Sequence, residues 1–444
     1  MNCIPALSGL TCWPRLAATT LRAIARIVAQ ILAVATLIAA HGCGVSTSES
    51  AESRQNDSRT YQMEYVVRPD PEAGGAWVEL QLSQPSHLLR EVNMRAPAGR
   101  ISKSGGDGDI VVADDRLIWN PPSKGGSLRW FARIDHQRDE GSFDAHITND
   151  WAIFRAEDVI PQAATRTLRG AKSETTLSFD LPFGWSSLTE YFGRDHSYRV
   201  RNTNRRFDRP AGWIILGDIG ARYDRIAGLR VNVAAPKDQG MRRMDILALL
   251  NWTLPEVLRM FPDFPKRLTV IGAGDPMWRG GLSGPRSLFI HTDRPLISEN
   301  ATSTLLHEVM HIALGSNAGE GMDWLVEGLA EFYSLTILHR SGSISDRRFA
   351  AAMRKQKEWG SSAGTLCEST SSGAITARAV TVLSELDSEI RTLSDGRKSL
   401  DDVTLELAAL EESITLGDFA AIVRQFTGTD VVALSAGNLP GCEI

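Results

Sequence analysis

The sequence predicts a multidomain α+β protein, with a β-sandwich-like N-terminal domain, an α/β middle domain and a helical C-terminal domain. Three observations support this fold class. The chain has 444 residues, and at about 150 residues per domain this length fits three domains. Apolar residues alternate in short runs up to residue 225 and then recur at helical spacing. From residue 345 onward every strong pattern is helical.

Residues 61–225 are predicted to form the β-rich domain. Short alternating or β-branched runs are separated there by glycine, proline, aspartate and asparagine turns, as expected for a sandwich. These runs are Tyr61–Val67, Ala76–Leu82, Asp109–Ala113, Arg116–Trp119, Leu128–Ile134, Thr175–Leu181 and Trp213–Leu216. A further strand, Tyr223–Ala234, is predicted to lead into the next domain.

Residues 226–343 are predicted to form the middle domain, and residues 344–444 the helical domain. In the middle domain Arg267–Gly272 and Ser287–Thr292 have strand patterns. Its predicted helices are Met241–Phe261, with Pro255 as a break or kink, Ser298–Leu314 and Asp323–His339. The helices predicted in the C-terminal domain span residues 345–357, 374–393, 398–413 and 416–427.

Composition and charge exclude several classes of protein. Hydrophobic residues make up 43% and charged residues 23% of the chain, which is ordinary for a globular protein and excludes a wholly disordered one. The formal net charge of −5 argues against a general nucleic-acid binder, which would usually be basic. We therefore expect no nucleic-acid partner.

The first 42 residues are predicted to be a signal peptide. They contain three arginines and no acidic residue, and the apolar run Ile27–Ala40 follows the arginines. A run of this length is too short for a membrane span, which needs about 20 residues. A basic segment followed by a short apolar run is typical of export.

Small residues and then Cys43 follow the apolar run. This pattern resembles a bacterial lipoprotein box, in which Cys43 is lipidated and becomes the first mature residue, although His41 stands where a small residue is usual. An ordinary cleaved signal peptide and an uncleaved anchor are the alternatives. Residues 43–60 are predicted to be a disordered tether. The resemblance implies an exported protein of the bacterial cell envelope, attached to a membrane through Cys43 and facing the periplasm or the cell surface.

Of the five cysteines, Cys367 and Cys442 remain once the signal peptide is removed and Cys43 carries lipid. Disulfides are stable in an oxidising compartment, so these two are predicted to form one, closing a loop of about 75 residues. Two free buried thiols are the alternative.

The segment His307–His311 (HEVMH) is an HExxH motif. On a helix, positions i and i+4 lie on one face, so His307 and His311 can bind one metal ion. Glu308 is placed to act on a metal-activated water rather than to bind the metal. Neutral imidazoles suit Zn²⁺, and a nearby carboxylate can take a proton from water and pass it to a leaving amine.

A third metal ligand is predicted in the next helix. Catalytic zinc takes three protein ligands and keeps one open position, and two histidines with one glutamate are an established set. Glu327 follows His311 after the glycine-containing loop Gly315–Gly321, which suits an antiparallel helix hairpin. Glu331, one turn further on, is predicted either to orient a histidine or to replace Glu327 as ligand. One Zn²⁺ is therefore the predicted cofactor.

HEVMH followed by Trp324–Tyr333 (WLVEGLAEFY) resembles the gluzincin metallopeptidases. This clan includes thermolysin-like enzymes and the aminopeptidase N group, and the closer resemblance is to the glycyl-aminopeptidase family. It implies a thermolysin-like α/β catalytic domain between a β domain and a helical domain. In Trp278–Leu282 (WRGGL), the residues Gly280, Gly281 and Leu282 resemble the family's substrate-edge segment. Weaker resemblances are Pro182–Trp185, Leu338–Ser345, Gly373–Ile375, Leu386–Arg391, Lys398–Val403 and Thr427–Asp430.

Two departures from the family pattern affect the predicted activity. Ser283 and Gly284 follow Gly-Gly-Leu, where relatives have a glutamate or asparagine that recognises the substrate α-amine. Aminopeptidase and endopeptidase activity therefore both stay open.

The second departure concerns the group that stabilises the oxyanion of the tetrahedral intermediate. Relatives often carry a tyrosine just before the Gly-Ala of the C-terminal domain, but residues 367–372 contain none. The alternative donors are His291, His339, Arg340 or a serine within that window. Of these, His291 is predicted to flank the cleft from a strand.

The sequence thus predicts an exported, lipid-anchored zinc peptidase that acts on peptides or proteins. The main alternative is a catalytically weak or inactive zinc-binding envelope protein that uses the peptidase scaffold for binding. Hydrolysis of a non-peptide amide is a third. The sequence does not indicate an oligomeric state.

Overall fold

The computed structural model of the protein describes residues 59–202, 206–315 and 318–442. The predicted signal peptide, Cys43 and all but the last two residues of the predicted tether lie outside them. Among the described residues, no helix has both the length and the apolar character needed to cross a membrane.

The first part of the structure is built from three sheets. Their strands are β1 Thr60–Asp70, β2 Gly75–Ser83, β3 Leu89–Arg95, β4 Ile101–Gly106, β5 Asp109–Ala113, β6 Arg116–Asn120, β7 Gly125–Arg133, β8 His136–Asp139, β9 Ser142–Ile147, β10 Trp151–Arg155, β11 Ala163–Thr167, β12 Lys172–Phe179, β13 Ser186–Leu188, β14 Phe192–Arg194, β15 Ser197–Val200 and β16 Trp213–Gly217. A single helical turn, α1 Ala156–Val159, follows β10. The sheet orders are β14-β15-β12-β1-β2-β7-β4, β13-β16-β10-β9-β8 and β11-β3-β6-β5.

Strands β10 and β16 of the five-stranded sheet are buried on both faces. Successive side chains of a strand point in opposite directions, so each strand contributes to two cores. In β10, Ala152 and Phe154 join the core shared by the three sheets. Trp151 and Ile153 belong to a second cluster, together with Phe289 of the next sheet. This burial explains why β10 (WAIFR) is continuously apolar and lacks the alternation of a half-exposed strand.

The middle of the chain forms a mixed sheet with helices packed on its other face. Its elements are β17 Ile219–Ile226, β18 Leu229–Pro236, α2 Arg243–Met260, β19 Arg267–Ala273, β20 Gly281–Ser283, β21 Ser287–His291, α3 Thr304–Leu314 and α4 Asp323–Arg340. The order is β17-β18-β19-β21-β20. Strands β18, β19 and β21 are parallel, and the edge strands β17 and β20 are antiparallel to their neighbours.

The C-terminal part is helical. It contains α5 Asp346–Gly360, α6 Ala374–Leu393, α7 Leu400–Ala408, α8 Leu416–Thr427 and the 3₁₀ turn Val432–Leu434. Cys367 and Cys442 form a disulfide that ties the end of the described chain to the loop between α5 and α6. One core of buried side chains continues from Ile226 to Leu439, so the predicted boundary at residues 343–344 crosses a shared core.

The structure corrects several predicted elements. Tyr223–Ala234 is not one strand, because β17 and β18 form a hairpin whose two-residue turn has positive φ at Ala227 and Gly228. Such a turn matches the twist of the paired strands. The boundary predicted at residue 225 therefore falls inside β17, which belongs to the middle sheet.

The helix predicted from Ser298 begins at Thr304, because Ser303 has extended backbone and its side chain accepts a hydrogen bond from the N–H of Leu306. Helix α2 continues through Pro255. The helix predicted over residues 398–413 is shorter, Leu400–Ala408. The coarser prediction, a multidomain α+β fold with several sheets, is confirmed.

Candidate metal centre

Helix α3 carries the two histidines of the HExxH motif. Ser303 caps its N-terminus, and Gly315, in the left-handed conformation, ends it. The 3.6-residue repeat puts His307 and His311 on one face, with their Nε2 atoms 3.1 Å apart. The helix thus presents two convergent nitrogen ligands.

Helix α4 adds a carboxylate between the two rings. Glu327 Oε2 lies 3.2 Å from His307 Nε2, and Glu327 Oε1 lies 3.3 Å from His311 Nε2. Within the described residues, these three side chains form the one group of at least three histidine, cysteine, aspartate or glutamate residues whose ligand atoms all lie within 4.8 Å of one another. We call His307, His311 and Glu327 the metal cluster.

The donor set and its spacing fit a tetrahedral zinc ion. At Zn–N distances of 2.0–2.1 Å, two ligands of a tetrahedral ion lie about 3.4 Å apart. The three separations in the metal cluster are 3.1, 3.2 and 3.3 Å. Two imidazoles and one carboxylate are also a ligand set that catalytic zinc uses.

Glu331 lies behind the metal cluster and orients one of its rings. Its Oε2 is 3.3 Å from His307 Nδ1, so that Nε2 of the same ring points toward Glu327. Gln356 of α5 donates a hydrogen bond of 3.2 Å to Glu331 Oε1. Such an outer contact fixes the tautomer and the ring orientation of a metal-binding histidine. Glu331 is outside the metal cluster itself.

The pKa values of the cluster follow from these contacts. Burial raises the pKa of Glu327, but hydrogen bonds from His307 and His311 outweigh burial and lower it to about 2. Burial lowers the pKa of His307, yet its hydrogen bonds to Glu327 and Glu331 raise it to about 10. Glu327 is therefore ionised at ordinary pH, as expected for a carboxylate that binds a cation.

The side chain of Glu308 lies against strand β20, close to Gly281 and Ser283. This side chain is almost fully buried, and burial raises the pKa of its carboxyl above the ordinary value, while a hydrogen bond with Ser283 acts in the opposite direction. A Cβ at Gly281 would lie 2.7 Å from Cγ of Glu308 and 2.7 Å from Cγ2 of Thr304. Glycine at this position therefore lets the edge strand approach the helix.

A cleft of about 380 Å³ opens beside the metal cluster. Gly280 and Gly281 contribute to its lining, whereas Leu282 does not. The other lining side chains come from the segment before β20, the loop before α3, helices α3 to α6 and the loop between α5 and α6. They include Trp278, Arg294, Asn300, Thr302, Thr304, His307, Glu308, Glu327, Glu331, Lys355, Gln356, Trp359, Ser371, Ser372 and Thr376.

Several predicted oxyanion donors lie elsewhere. His291 is fully buried, its Nδ1 accepts from the N–H of Asp293, and it does not line the cleft. His339 contacts Asp346, and Arg340 is paired with Asp401. Of the predicted alternatives, the structure brings only serines of the 367–372 window, Ser371 and Ser372, to the cleft.

Sequence reasoning missed Gln356, Arg294 and Lys355. Gln356 lies 25 residues from Glu331 along the chain and on the following helix, and no spacing rule links positions on two separate helices. Arg294 and Lys355 belong to no motif, so the sequence does not distinguish them from ordinary solvent-exposed charged residues.

Comparisons with known proteins show a similar fold but no related sequence family. No protein-family model matches the chain, and no curated protein matches it. Solved structures do. An aminopeptidase N family protein from Idiomarina loihiensis superimposes with a TM-score of 0.58 at 14% identity, over 78% of this chain and 70% of that one. Native yeast LTA4 hydrolase superimposes with a TM-score of 0.53 at 13% identity, over 86% and 68%. The chain therefore has a fold similar to that of these two proteins.

Proposed function

We propose that the protein is a zinc-dependent peptidase of the gluzincin type, exported and anchored to a bacterial membrane by lipid on Cys43. The observation that carries the peptidase proposal is the metal cluster with Glu308 beside it in an open cleft. The fold similarity supports a hydrolase scaffold. The HEVMH motif, Glu327 and the WRGGL segment support a relationship to glycyl-aminopeptidases.

His307, His311 and Glu327 would hold the metal. When bound, Zn²⁺ supplies a Lewis acid that polarises a carbonyl and makes a neighbouring water more acidic. Glu308 accepts a proton from the attacking water and then donates it to the leaving amine. Its raised pKa suits this role, because a general base works best when its pKa lies near the operating pH. Glu331 keeps His307 in the tautomer that leaves Nε2 free as a ligand.

Strand β20 supports binding of an extended peptide. It is the edge of the middle sheet, so its outer backbone groups face no neighbouring strand. Gly280 O accepts from the N–H of His291 and Gly284 N donates to Ser287, so in the alternating pattern the N–H and C=O of Gly281 and Ser283 point away from β21. A substrate strand can pair with those groups beside Glu308.

Ser371 or Ser372 would supply the oxyanion contact that a tyrosine gives in relatives. Both serines line the cleft. Ser371 is already engaged, since its N–H donates to Asp323 and its Oγ lies 3.1 Å from Thr376 Oγ1. A hydroxyl is a weaker donor than a phenol, so we expect slower turnover rather than loss of activity.

The test combines metal content with cleavage of a mixed peptide pool. Purified wild type should hold one zinc per chain and cleave the pool, and Glu308→Gln should keep its zinc while turnover falls by about 10²–10⁴. Glu299→Gln, in the exposed loop before α3, is the control and should leave turnover unchanged. Unchanged turnover in Glu308→Gln would contradict the proposal.

The second candidate function is zinc-dependent binding without catalysis. It is favoured by the cleft, whose lining in the described chain includes no tyrosine. Full zinc content together with no cleavage of the pool, by wild type or by Glu308→Gln, would favour this function. Cell fractionation of wild type and Cys43→Ser tests the anchor separately, since the variant should leave the membrane fraction.

A further inference from the structure

The rim of the cleft carries positive charge. Arg294, in the loop before α3, and Lys355, on α5, both line the cleft and both are exposed. The acidic residues of the lining are Glu308, Glu327 and Glu331. Each of these is already engaged, by Ser283, by the two histidines, or by His307 and Gln356.

The two cations are held by neutral oxygen atoms. Arg294 Nε donates a hydrogen bond of 2.6 Å to the carbonyl of Arg279, and Lys355 Nζ donates one of 2.6 Å to Asn300 Oδ1. Within the described part of the chain, neither forms an ion pair, whereas nearby Arg279 pairs with Asp275. The charges of Arg294 and Lys355 are therefore positioned but not neutralised.

The charge of this rim is opposite to the charge that a binding site for a free α-amine requires. An ammonium group needs an uncommitted carboxylate, and each of the three lining carboxylates already has a protein partner. A guanidinium and an ammonium instead form strong, charge-assisted hydrogen bonds with a carboxylate. The contact between Lys355 and Asn300 joins α5 to the loop before α3. The same loop carries Arg294, so both cations belong to the rim of the cleft.

We propose that Arg294 and Lys355 bind a carboxylate of the substrate, so that the enzyme selects peptides with an acidic group close to the cleaved bond. This inference rests on the proposed peptidase function and specifies its substrate class. The carboxylate can be an aspartate or glutamate side chain or a free C-terminus, because both present the same chemistry to the rim.

The test uses matched peptides that have glutamate or glutamine at each position around the cleaved bond, with free or amidated C-termini. Wild type should prefer the acidic member by about tenfold in kcat/KM, the contribution of one charge-assisted hydrogen bond. Arg294→Gln and Lys355→Gln should each lower kcat/KM more for the acidic peptides than for the neutral ones, so that the preference falls. Lys355→Glu should favour peptides with lysine at the same position.

A lysine and an arginine elsewhere in the chain serve as controls. Lys357→Gln lies on α5 two residues further on, where Lys357 pairs with Glu385, and Arg242→Gln removes an arginine that pairs with Asp245. Neither residue lines the cleft, so both variants should keep the acidic preference.

A preference for glutamate over glutamine identifies a side-chain carboxylate as the bound group, and a preference for the free over the amidated end identifies the C-terminus. Equal cleavage of acidic, neutral and amidated peptides by wild type would overturn the proposal.

A binding measurement separates this proposal from the peptidase function. The zinc-loaded Glu308→Gln protein is titrated calorimetrically with the same peptides, and the dissociation constant should be about tenfold lower for the acidic member. Binding preference without turnover by wild type would sink the peptidase proposal and support the carboxylate site. Turnover without any binding preference would overturn the carboxylate site alone.

Discussion

The ligands of the metal cluster come from two helices that follow each other in the chain, whereas the rim of the cleft comes from four separated segments. The metal cluster lies within His307–Glu327 and contains one carboxylate, that of Glu327, whose pKa is lowered to about 2 by hydrogen bonds from the two histidines. The rim is drawn from residues 278–281, 294–304, 352–359 and 371–377 and includes the two cations. Spacing along the sequence thus determines the position of the metal cluster, whereas packing between distant segments determines which side chains line the cleft beside it.

Substitution of a residue that binds or orients the metal should have the largest effect, a loss of zinc affinity at the metal cluster. We expect Glu331→Ala to lower zinc affinity by roughly ten- to hundredfold, as for outer-contact residues in general. Glu327→Ala should lower it further, because it removes one of three direct ligands. Competition with a chromogenic chelator measures both. Full zinc content in Glu327→Ala with loss in Glu331→Ala would identify Glu331 as the ligand.

Removal of the disulfide should affect the rim and leave the metal cluster intact. Cys367 lies four residues before Ser371, which lines the cleft, and the bond closes a loop of 75 residues. The double variant Cys367→Ser/Cys442→Ser should lose about 4 kcal/mol of unfolding free energy in the chain-entropy account. Denaturant unfolding measures this loss. Wild type in reductant should behave like the variant, and zinc content should not change.

A methyl group at Gly281 should disturb the contact between the rim and the cluster. Gly281→Ala puts Cβ 2.7 Å from Cγ of Glu308, and such overpacking costs roughly 1–3 kcal/mol. We expect lower kcat/KM and a lower unfolding midpoint, with zinc retained. Gly364→Ala is the control, because nothing lies within 4 Å of the added methyl group. Equal effects of the two substitutions would contradict the close approach of β20 to α3.

Elements with strong local signals were predicted well. Residues 374–393 and 416–427 match α6 and α8 at both ends, because apolar spacing and capping residues act over a few positions. Strand β10 was missed, since Trp151–Arg155 is continuously apolar and has no alternation to detect. Its neighbour β16 is equally buried but was predicted, as Trp213–Leu216. The β17–β18 hairpin was missed because its turn, Ala227-Gly228, lacks the asparagine or aspartate usual there.

The sequence by itself determined the three residues of the metal cluster and the position of Glu308 beside them. Helical geometry alone puts His307 and His311 on one face and Glu308 beside them, and a short loop returns Glu327 to the same point. Only the tertiary structure decided that Gln356 supports Glu331, that Ser371 and Ser372 reach the cleft while His291 does not, and that Arg294 and Lys355 form its rim. The physical reason is the separation of the residues along the chain. Contacts within the metal cluster are set by the repeat of a helix and a short loop, whereas contacts of the rim depend on how elements distant in sequence pack around shared cores.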